Sequence, residues 1–219
     1  MAIREQLLQA AVKVYSTAGT RGATTRRIAE TAGVNEVTLF RHFGSKEALL
    51  RDAVQNIYDR SVLARLPEAP ADPRAELMDW CRHHHRFLTR IRSLMRTSMA
   101  EFAEHPEHVA QACKLPVRIA AELHAYLIKL RARGLARGRW NARAAAALLM
   151  GAVFADATQR DIMPERYPYS DERAVAHYLD IFLAGIGATV RRPRRRPSER
   201  QQHGSHAPRR LSGSRPPAR

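Results

Sequence analysis

Residues 25–46 bring together side chains that can hydrogen-bond to phosphate oxygens or to the edges of bases. Hydroxyl, amide, imidazole and ammonium groups suit phosphate oxygens. Arg can donate twice to guanine, Glu can accept from cytosine N4, and Val can touch a thymine methyl group. The residues of these types, together with one aromatic ring, are Thr25, Arg26, Asn35, Glu36, Val37, Thr38, Phe40, Arg41, His42 and Lys46.

Three short helices are predicted to position these side chains. Ile28, Ala29 and Ala32 form a one-sided apolar stripe at helical spacing. Gly33 ends that helix, because glycine adopts the left-handed conformation at little cost. Asn35 can cap the next helix through its side-chain oxygen. Two helices joined by a tight turn are therefore expected, and a third begins after Gly44 with Ser45 as its cap and Glu47 in its first turn.

The second of these helices has an apolar rear and a mixed front. Leu39 and Phe43 lie four residues apart on one face. The side chains turned largely outward are Glu36, Val37, Phe40 and Arg41. A helix of this kind fits the major groove of DNA. Spacing alone leaves a second interpretation open, since glycine-broken helix pairs also occur in ordinary helical bundles.

Residues 24–50, TTRRIAETAGVNEVTLFRHFGSKEALL, resemble the DNA-binding segment of the tetracycline-repressor (TetR) family of bacterial transcriptional regulators. The shared pattern is Thr24-Thr25, Ile28-Ala29, Ala32-Gly33-Val34, Thr38-Leu39-Phe40, His42-Phe43, Ser45-Lys46-Glu47 and Leu49. The resemblance extends over about residues 7–50, roughly a fifth of the chain, and the remainder is similar only in architecture.

The resemblance implies roles for the matching positions. Thr25 and Arg26 open a helix whose N-terminus should face a phosphate, and family members use these positions for backbone or base contacts. Asn35, Thr38 and His42 are expected at phosphate oxygens. Lys46 is expected to hold a phosphate on the other side, and the base-reading candidates are Glu36, Val37 and Arg41.

Two positions depart from the family pattern. Phe40 stands where the family commonly has Tyr, so a phenolic hydrogen bond to phosphate is absent, although the ring can pack on sugar or a thymine methyl group. Glu36 places a negative charge near phosphates, which weakens DNA binding unless its carboxylate finds a donor. Both departures affect which operator sequence is read.

Composition favours an all-α fold without a membrane span. The chain has 219 residues and 45% hydrophobic content, enough for a real core, and Ala, Leu, Arg and Glu dominate over strand formers. The longest apolar run, residues 144–155, is too short for a bilayer, which needs about 20 residues. Two cysteines without motif spacing and an N-terminus without the apolar core of a signal peptide lead us to expect a cytoplasmic protein.

Charge and helix pattern divide the chain into three parts. Residues 1–50 are predicted to form the DNA-binding domain, and the resemblance implies that the helical residues 51–189 form an effector-binding and dimerisation domain. Its helices are expected at about residues 45–64, 73–91, 92–104, 107–134 with a kink or break at Pro116, 142–160 and 171–187. Residues 190–219 are predicted to be a disordered basic tail: residues 191–219 hold ten Arg and one Glu, contributing +9 of the net +16 and leaving +7 for the rest.

The resemblance also implies partners for the second domain. Helices 142–160 and 171–187 are apolar over much of their surface and are expected to pair with a second copy, so that a dimer binds a palindromic DNA operator. A small apolar or aromatic effector is expected between the helices. The candidate lining residues are Trp80, His84, Phe87, Met95, Met99, Phe102 and Tyr126, although residues of these types on a helix more often belong to a plain core.

Two other functions remain open on the sequence alone. Cys81, His84 and His85 have helical spacing that metal ligands can use, which would suit a metal-dependent hydrolase, although no fourth ligand or nucleophile motif accompanies them. Neither a metal nor a cofactor is therefore expected. The basic tail could alternatively hold DNA without sequence preference.

Overall fold

The computed structural model describes residues 2–60, 64–104, 106, 109 and 112–188, and within them the chain is all-α. The helices are α1 (Ile3–Gly22), α2 (Thr25–Ala32), α3 (Glu36–Phe43), α4 (Lys46–Arg60), α5 (Pro73–Arg90), α6 (Arg92–Glu101), α7 (Lys114–Ala132), α8 (Ala142–Gln159) and α9 (Asp171–Gly185). A 3-10 turn, Pro164–Arg166, precedes α9, and a single β-bridge joins Ala136 to Ala188 in this part of the chain. The predicted fold class is confirmed. None of the described helices has the length and apolar character that crossing a bilayer requires.

Five helices begin at side-chain caps, among them Asn35 and Ser45, which the sequence predicted. In each case the cap oxygen accepts a hydrogen bond from a backbone N–H two or three residues further on, which satisfies a donor that the first helical turn leaves unpaired. The caps are Thr24, Asn35, Ser45, Asp72 and Asn141. Local polar chemistry therefore fixes where the helices of the N-terminal region start.

Helix ends differ from the predictions at three places. The predicted break in the segment 107–134 lies at Cys113, a turn between helical Ala112 and Lys114, rather than at Pro116; Pro116 lies in the first turn of α7, where a backbone N–H has no helical acceptor. Helix α4 ends at Arg60 and Ala64 is not helical, while residues 61–63 lie outside the described residues. Helix α6 ends at Glu101, about three residues early. Within α1, Gly19 has non-helical backbone angles, φ 65° and ψ −175°, and a further helical turn follows it.

The first four helices share a small apolar core. Its completely buried members include Leu7, Ala11, Ile28 and Leu39, and Phe43 packs at the edge of the same cluster. Leu7 and Ala11 lie on α1, Ile28 on α2, and Leu39 and Phe43 on α3. Because Leu39 belongs to the core, the opposite side of α3 is directed away from the protein.

A polar cluster attaches the N-terminal region to α6. The backbone N–H and the hydroxyl of Thr20 donate to the two carboxylate oxygens of Glu101, each at 2.6 Å, and the Tyr15 hydroxyl donates to Glu101 Oε2 at 2.8 Å. On the other side, Lys46 Nζ donates to the Thr20 carbonyl oxygen at 3.0 Å. The N-terminal region is therefore held by α6 as well as by α4, whose Leu49 and Ala53 belong to its core.

The larger core lies between α5, α7, α8 and α9. Trp80, Leu127, Leu149 and Leu179 are among its fully buried members. Each such side chain stabilises the fold by about 1.5–3 kcal/mol relative to an exposed position. Three of its helices, α5, α7 and α8, also line the cavity described below.

A buried carboxylate joins α5, α8 and α9. Asp156 is completely buried and accepts from His85 Nε2, Arg160 Nε and the Tyr178 hydroxyl at 2.7, 3.0 and 2.7 Å. Burial disfavours the charged carboxylate, but the hydrogen bonds from these three donors outweigh it and lower the pKa of Asp156 to about 2. Asp156 is therefore ionised at neutral pH and fixes the spacing of the three helices.

Candidate DNA-binding face, effector cavity and dimer face

Three side chains on the outer side of α3, Val37, Phe40 and Arg41, form what we call the α3 front face. Val37 is 75% exposed and Phe40 47% exposed, although both are large and apolar. Arg41 is exposed and has no hydrogen bond or ion pair with any other described residue. The N-cap and the buried Leu39 hold the helix, while the front face presents two apolar contacts and one unpaired cation to a partner.

Glu36 has a hydrogen-bond donor within the protein. The Thr25 hydroxyl on α2 donates to Glu36 Oε2 on α3 at 2.6 Å, and both residues are half-buried. This bond links the N-terminal ends of the two helices. The negative charge of Glu36 was expected to weaken DNA binding unless its carboxylate found a donor. Thr25 is such a donor, and its hydrogen bond holds the carboxylate in place rather than leaving it free to face phosphates.

Several predicted phosphate contacts are hydrogen-bonded inside the protein. Asn35 Oδ1 accepts from both the backbone N–H and the hydroxyl of Thr38 at 2.8 Å. Lys46 is half-buried and bonded to Thr20, as described above. Asn35, Thr38 and Lys46 thus have structural roles. The sequence pattern alone did not distinguish these roles from contacts with DNA.

Two basic side chains of α2 and one of α3 complete this region. Arg26 Nε donates to Glu30 Oε1 at 2.9 Å in an exposed ion pair, which competes with any phosphate for the guanidinium group. His42 is exposed, with its ring centroid 6.3 Å from that of Phe43. Arg27 is exposed and has no ion pair with another described residue, yet it was not predicted. Its position directly after Arg26, in the first turn of a helix expected to face a phosphate, could have indicated a phosphate contact.

A cavity of about 80 Å³ lies between α4, α5, α6, α7 and α8 and opens partly to solvent. Four of the seven predicted lining residues surround it: Trp80, His84, Phe87 and Met95. The others are Tyr58, Leu88, Ile91, Leu115, Pro116, Ile119, Met150, Val153 and Phe154. Residues of α7 and α8 were missed, because periodicity shows which side of a helix is apolar but not which helices meet.

Three predicted lining residues lie elsewhere. Met99 is 51% exposed, one turn beyond Met95 on α6, and the cavity ends before it. Phe102 follows the end of α6 and is only half-buried. Tyr126 belongs to the larger core, and its hydroxyl donates to Glu76 Oε2 at 2.6 Å. The prediction that these three line the same cavity is therefore wrong, since the cavity occupies only one end of the helical domain.

Helices α8 and α9 leave an apolar groove open along one side. Leu148 is 68% exposed and Ile181 is 73% exposed, and both line the groove. Small residues of α8, Ala144 and Ala152, also line it, so another backbone can approach closely. These are the two helices that the sequence assigned to pairing with a second copy.

The residues suggested for metal binding do not form a ligand set. Burial raises the pKa of the Cys81 thiol to about 12, which opposes the thiolate that a metal requires. His84 Nδ1 is bonded to the Trp80 carbonyl oxygen, and His85 Nε2 to Asp156. In the described part of the chain, no three side chains of His, Cys, Asp or Glu are grouped as metal ligands.

Comparison with known proteins agrees with this arrangement. Residues 7–53 match the family model of bacterial regulatory proteins of the tetR family. A segment of 56 residues is 34% identical to the HTH-type transcriptional repressor KstR2 of Mycolicibacterium smegmatis. That match covers 26% of this chain and 27% of the repressor, so it concerns about a quarter of each protein.

Solved structures extend the similarity to nearly the whole described fold. A transcriptional regulator from Rhodococcus sp. Rha1 is 26% identical with a TM-score of 0.66, over 85% of this chain and 98% of that one. The regulator FadR of Bacillus subtilis, solved with stearoyl-CoA, is 17% identical with a TM-score of 0.60, over 83% and 98% of the two chains. The second likeness shows the fold alone. Together with the helix-turn-helix of α2 and α3, these matches show that residues 7–53 are similar to the tetR family and that the described fold is similar to that of solved transcriptional regulators.

Proposed function

We propose that this chain is a repressor that binds a palindromic DNA operator as a homodimer and responds to a small apolar or aromatic effector. The observation that carries the proposal is the α3 front face, where Val37 and Phe40 are exposed beside an unpaired Arg41. In a major groove, Arg41 can donate to guanine while the two apolar side chains touch thymine methyl groups. Thr25, Arg26 and His42 flank this face, and Arg27 is added as a phosphate contact.

The groove along α8 and α9 supports the dimer. Leu148 and Ile181 are exposed in one chain, and pairing with a second copy through the same helices would cover both. A two-fold axis through this four-helix contact places two α3 front faces on one duplex, which explains why the operator should be palindromic.

In this proposal, residues 1–50 bind DNA, and residues 51–189 bind the effector and form the dimer contact. The tail predicted for residues 190–219 lies outside the described residues.

The cavity supports the proposed effector, because apolar residues of five helices surround it. At about 80 Å³ it is smaller than the roughly 300–1,000 Å³ of most ligand pockets. A ligand as large as the stearoyl-CoA bound by the Bacillus subtilis FadR would require the helices to move apart.

The test is operator binding by variants of the front face. An operator is first selected from a random DNA pool with the full chain, and affinities are then measured by fluorescence anisotropy at fixed salt. Arg41→Ala should weaken binding by about 1–3 kcal/mol and relax preference at one base pair of each half-site. The matched control is Arg82→Ala, another exposed arginine, placed on α5 away from the α8 and α9 groove, which should leave affinity unchanged.

Two outcomes would contradict the proposal. Equal operator affinity for Arg41→Ala and the unaltered chain would show that the α3 front face does not read DNA. Deleting residues 191–219 should lower nonspecific affinity without changing the selected sequence. If that deletion instead abolished all sequence-specific binding, the tail rather than the front face would be the DNA-binding element.

A further inference from the structure

The cavity contains a buried polar atom that the protein leaves without a partner. Trp80 lines the cavity and is 1% exposed, and its indole Nε1–H makes no hydrogen bond to any described residue. Buried N–H groups in folded proteins almost always find an acceptor. Thr89 Oγ1 is also buried without such a partner, but Thr89 is not among the lining residues.

His84, which lines the same cavity, offers a complementary atom. Its Nδ1 lies 2.8 Å from the Trp80 carbonyl oxygen, and because a carbonyl only accepts, Nδ1 must carry the hydrogen. In the neutral ring, Nε2 is then an acceptor, and no described residue donates to it. The centroids of the His84 and Trp80 rings are 4.0 Å apart, so the donor and the acceptor belong to two rings in direct contact.

The protonation state of His84 decides what this pair can bind. Burial lowers the pKa of His84, the hydrogen bond to the Trp80 carbonyl raises it, and among charged neighbours Glu122 on α7 raises it while His83 lowers it. The net direction is downward from the ordinary value, so the ring is neutral at pH 7. Glu122 is itself held by the Leu66 backbone N–H at 2.7 Å.

We propose that the cavity binds a small neutral molecule with a hydroxyl group, whose oxygen accepts from Trp80 Nε1–H and whose O–H donates to His84 Nε2. A hydroxyl is both donor and acceptor, which matches the two free positions. The other lining residues are almost entirely apolar and contact the hydrocarbon part of the molecule. A carboxylate fits poorly, because it has no hydrogen to give to Nε2 and its charge loses hydration in apolar surroundings. The inference refines the effector class within the proposed function.

The probes are phenol, toluene and benzoate, which share one ring and differ in the polar group. Binding to the full chain, without DNA, is measured by titration calorimetry at pH 7. We expect phenol to bind at least tenfold tighter than toluene, since only the hydroxyl pairs with both nitrogens, and benzoate to bind more weakly than phenol. Phenol should keep its affinity through the pH range where an ordinary histidine becomes protonated and lose it only at lower pH, because burial lowers the pKa of His84 and the protonated ring no longer accepts.

Variants assign the effect to the two side chains. Trp80→Phe and His84→Phe keep an aromatic ring and remove the polar atoms, so the phenol-to-toluene ratio should fall to about one. His83→Phe is the matched control: its imidazole lies on the same helix but is 41% exposed and does not line the cavity, so the ratio should be unchanged. If the Trp80 variant fails to fold, the His84 variant and the pH profile still give the answer.

Three results would overturn the inference: equal affinity for phenol and toluene, benzoate binding that exceeds phenol and tightens as the pH falls, or no measurable binding of any probe. The operator experiment separates this failure from failure of the proposed function. If Arg41→Ala weakens operator binding while phenol is not preferred, DNA recognition stands and only the ligand class is wrong. If phenol is preferred while Arg41→Ala changes nothing, the cavity is a site and the front face is not.

Discussion

Replacing Gly19 by Ala tests how the N-terminal region is attached to α6. Gly19 has φ 65° and ψ −175°, a backbone conformation that is essentially restricted to glycine. A Cβ atom there would lie 2.6 Å from Glu101 Oε1, the oxygen that accepts from the Thr20 backbone N–H. The substitution therefore strains the backbone and displaces the carboxylate at the same time.

Both effects can be given a magnitude. Holding a non-glycine residue in this region costs about 1–3 kcal/mol. Hydrogen bonds to a charged group contribute about 1.5–3 kcal/mol each, and Glu101 accepts two from Thr20 at 2.6 Å and one from Tyr15 at 2.8 Å. If the strain is accompanied by loss of one such bond, Gly19→Ala should lower the free energy of unfolding by about 2.5–6 kcal/mol.

Urea denaturation followed by circular dichroism measures this loss. The matched control is Gly33→Ala: Gly33 also has positive φ, 72°, but an added Cβ there meets nothing within 4 Å. The control should cost only about 1–2 kcal/mol, the penalty of a left-handed residue. A change below about 1 kcal/mol for Gly19→Ala, or one no larger than for Gly33→Ala, would refute the reasoning about the Glu101 contact.

Three further perturbations have defined outcomes. Asp156 has its pKa lowered to about 2, so the stability it contributes is present above about pH 4 and is lost as the pH falls toward 2; about 2 kcal/mol should disappear over that window in urea titrations. Asp156→Asn should lack this pH dependence, and an unchanged acid profile would contradict the assignment. Thr25→Val removes the donor to Glu36 at nearly constant size and should weaken operator binding about three- to tenfold by fluorescence anisotropy, with Glu36→Gln restoring it in the double variant. An unaltered affinity would show that the bond is irrelevant to DNA. Ile181→Asp should convert the dimer to monomer in light scattering with the helical content retained, because Ile181 is exposed in the single chain; a dimer that persists would place the contact elsewhere.

The sequence predicted the helix starts of the N-terminal region well, for a local reason. Thr24, Asn35 and Ser45 cap through bonds to residues three positions away, so the information is contained in a few neighbouring letters. The helix ends were less accurate. Helix α6 stops at Glu101, where the carboxylate bonds to Thr20, a contact 81 residues distant that no local pattern encodes.

The same difference explains the site predictions. Trp80, His84 and Phe87 were correctly placed around the cavity because they share one face of a regular helix. Tyr126 was placed there wrongly, since its surroundings depend on how α7 crosses α5, which a linear pattern does not specify. The hydrogen bond from Thr25 to Glu36 also joins two separate helices, and it gives the acidic residue a role that charge alone did not suggest.

Helix α6 carries Met95 at the cavity and Glu101 at the N-terminal region, six residues apart or about 9 Å along its axis. A helical segment this short bends very little. An outward displacement of Met95 therefore moves Glu101 by nearly the same distance. A shift of about one ångström would lengthen the 2.6 Å hydrogen bond between Thr20 and Glu101 beyond hydrogen-bonding distance. An occupant that widens the cavity by moving α6 must therefore either carry Thr20 with it or uncouple the two parts of the molecule.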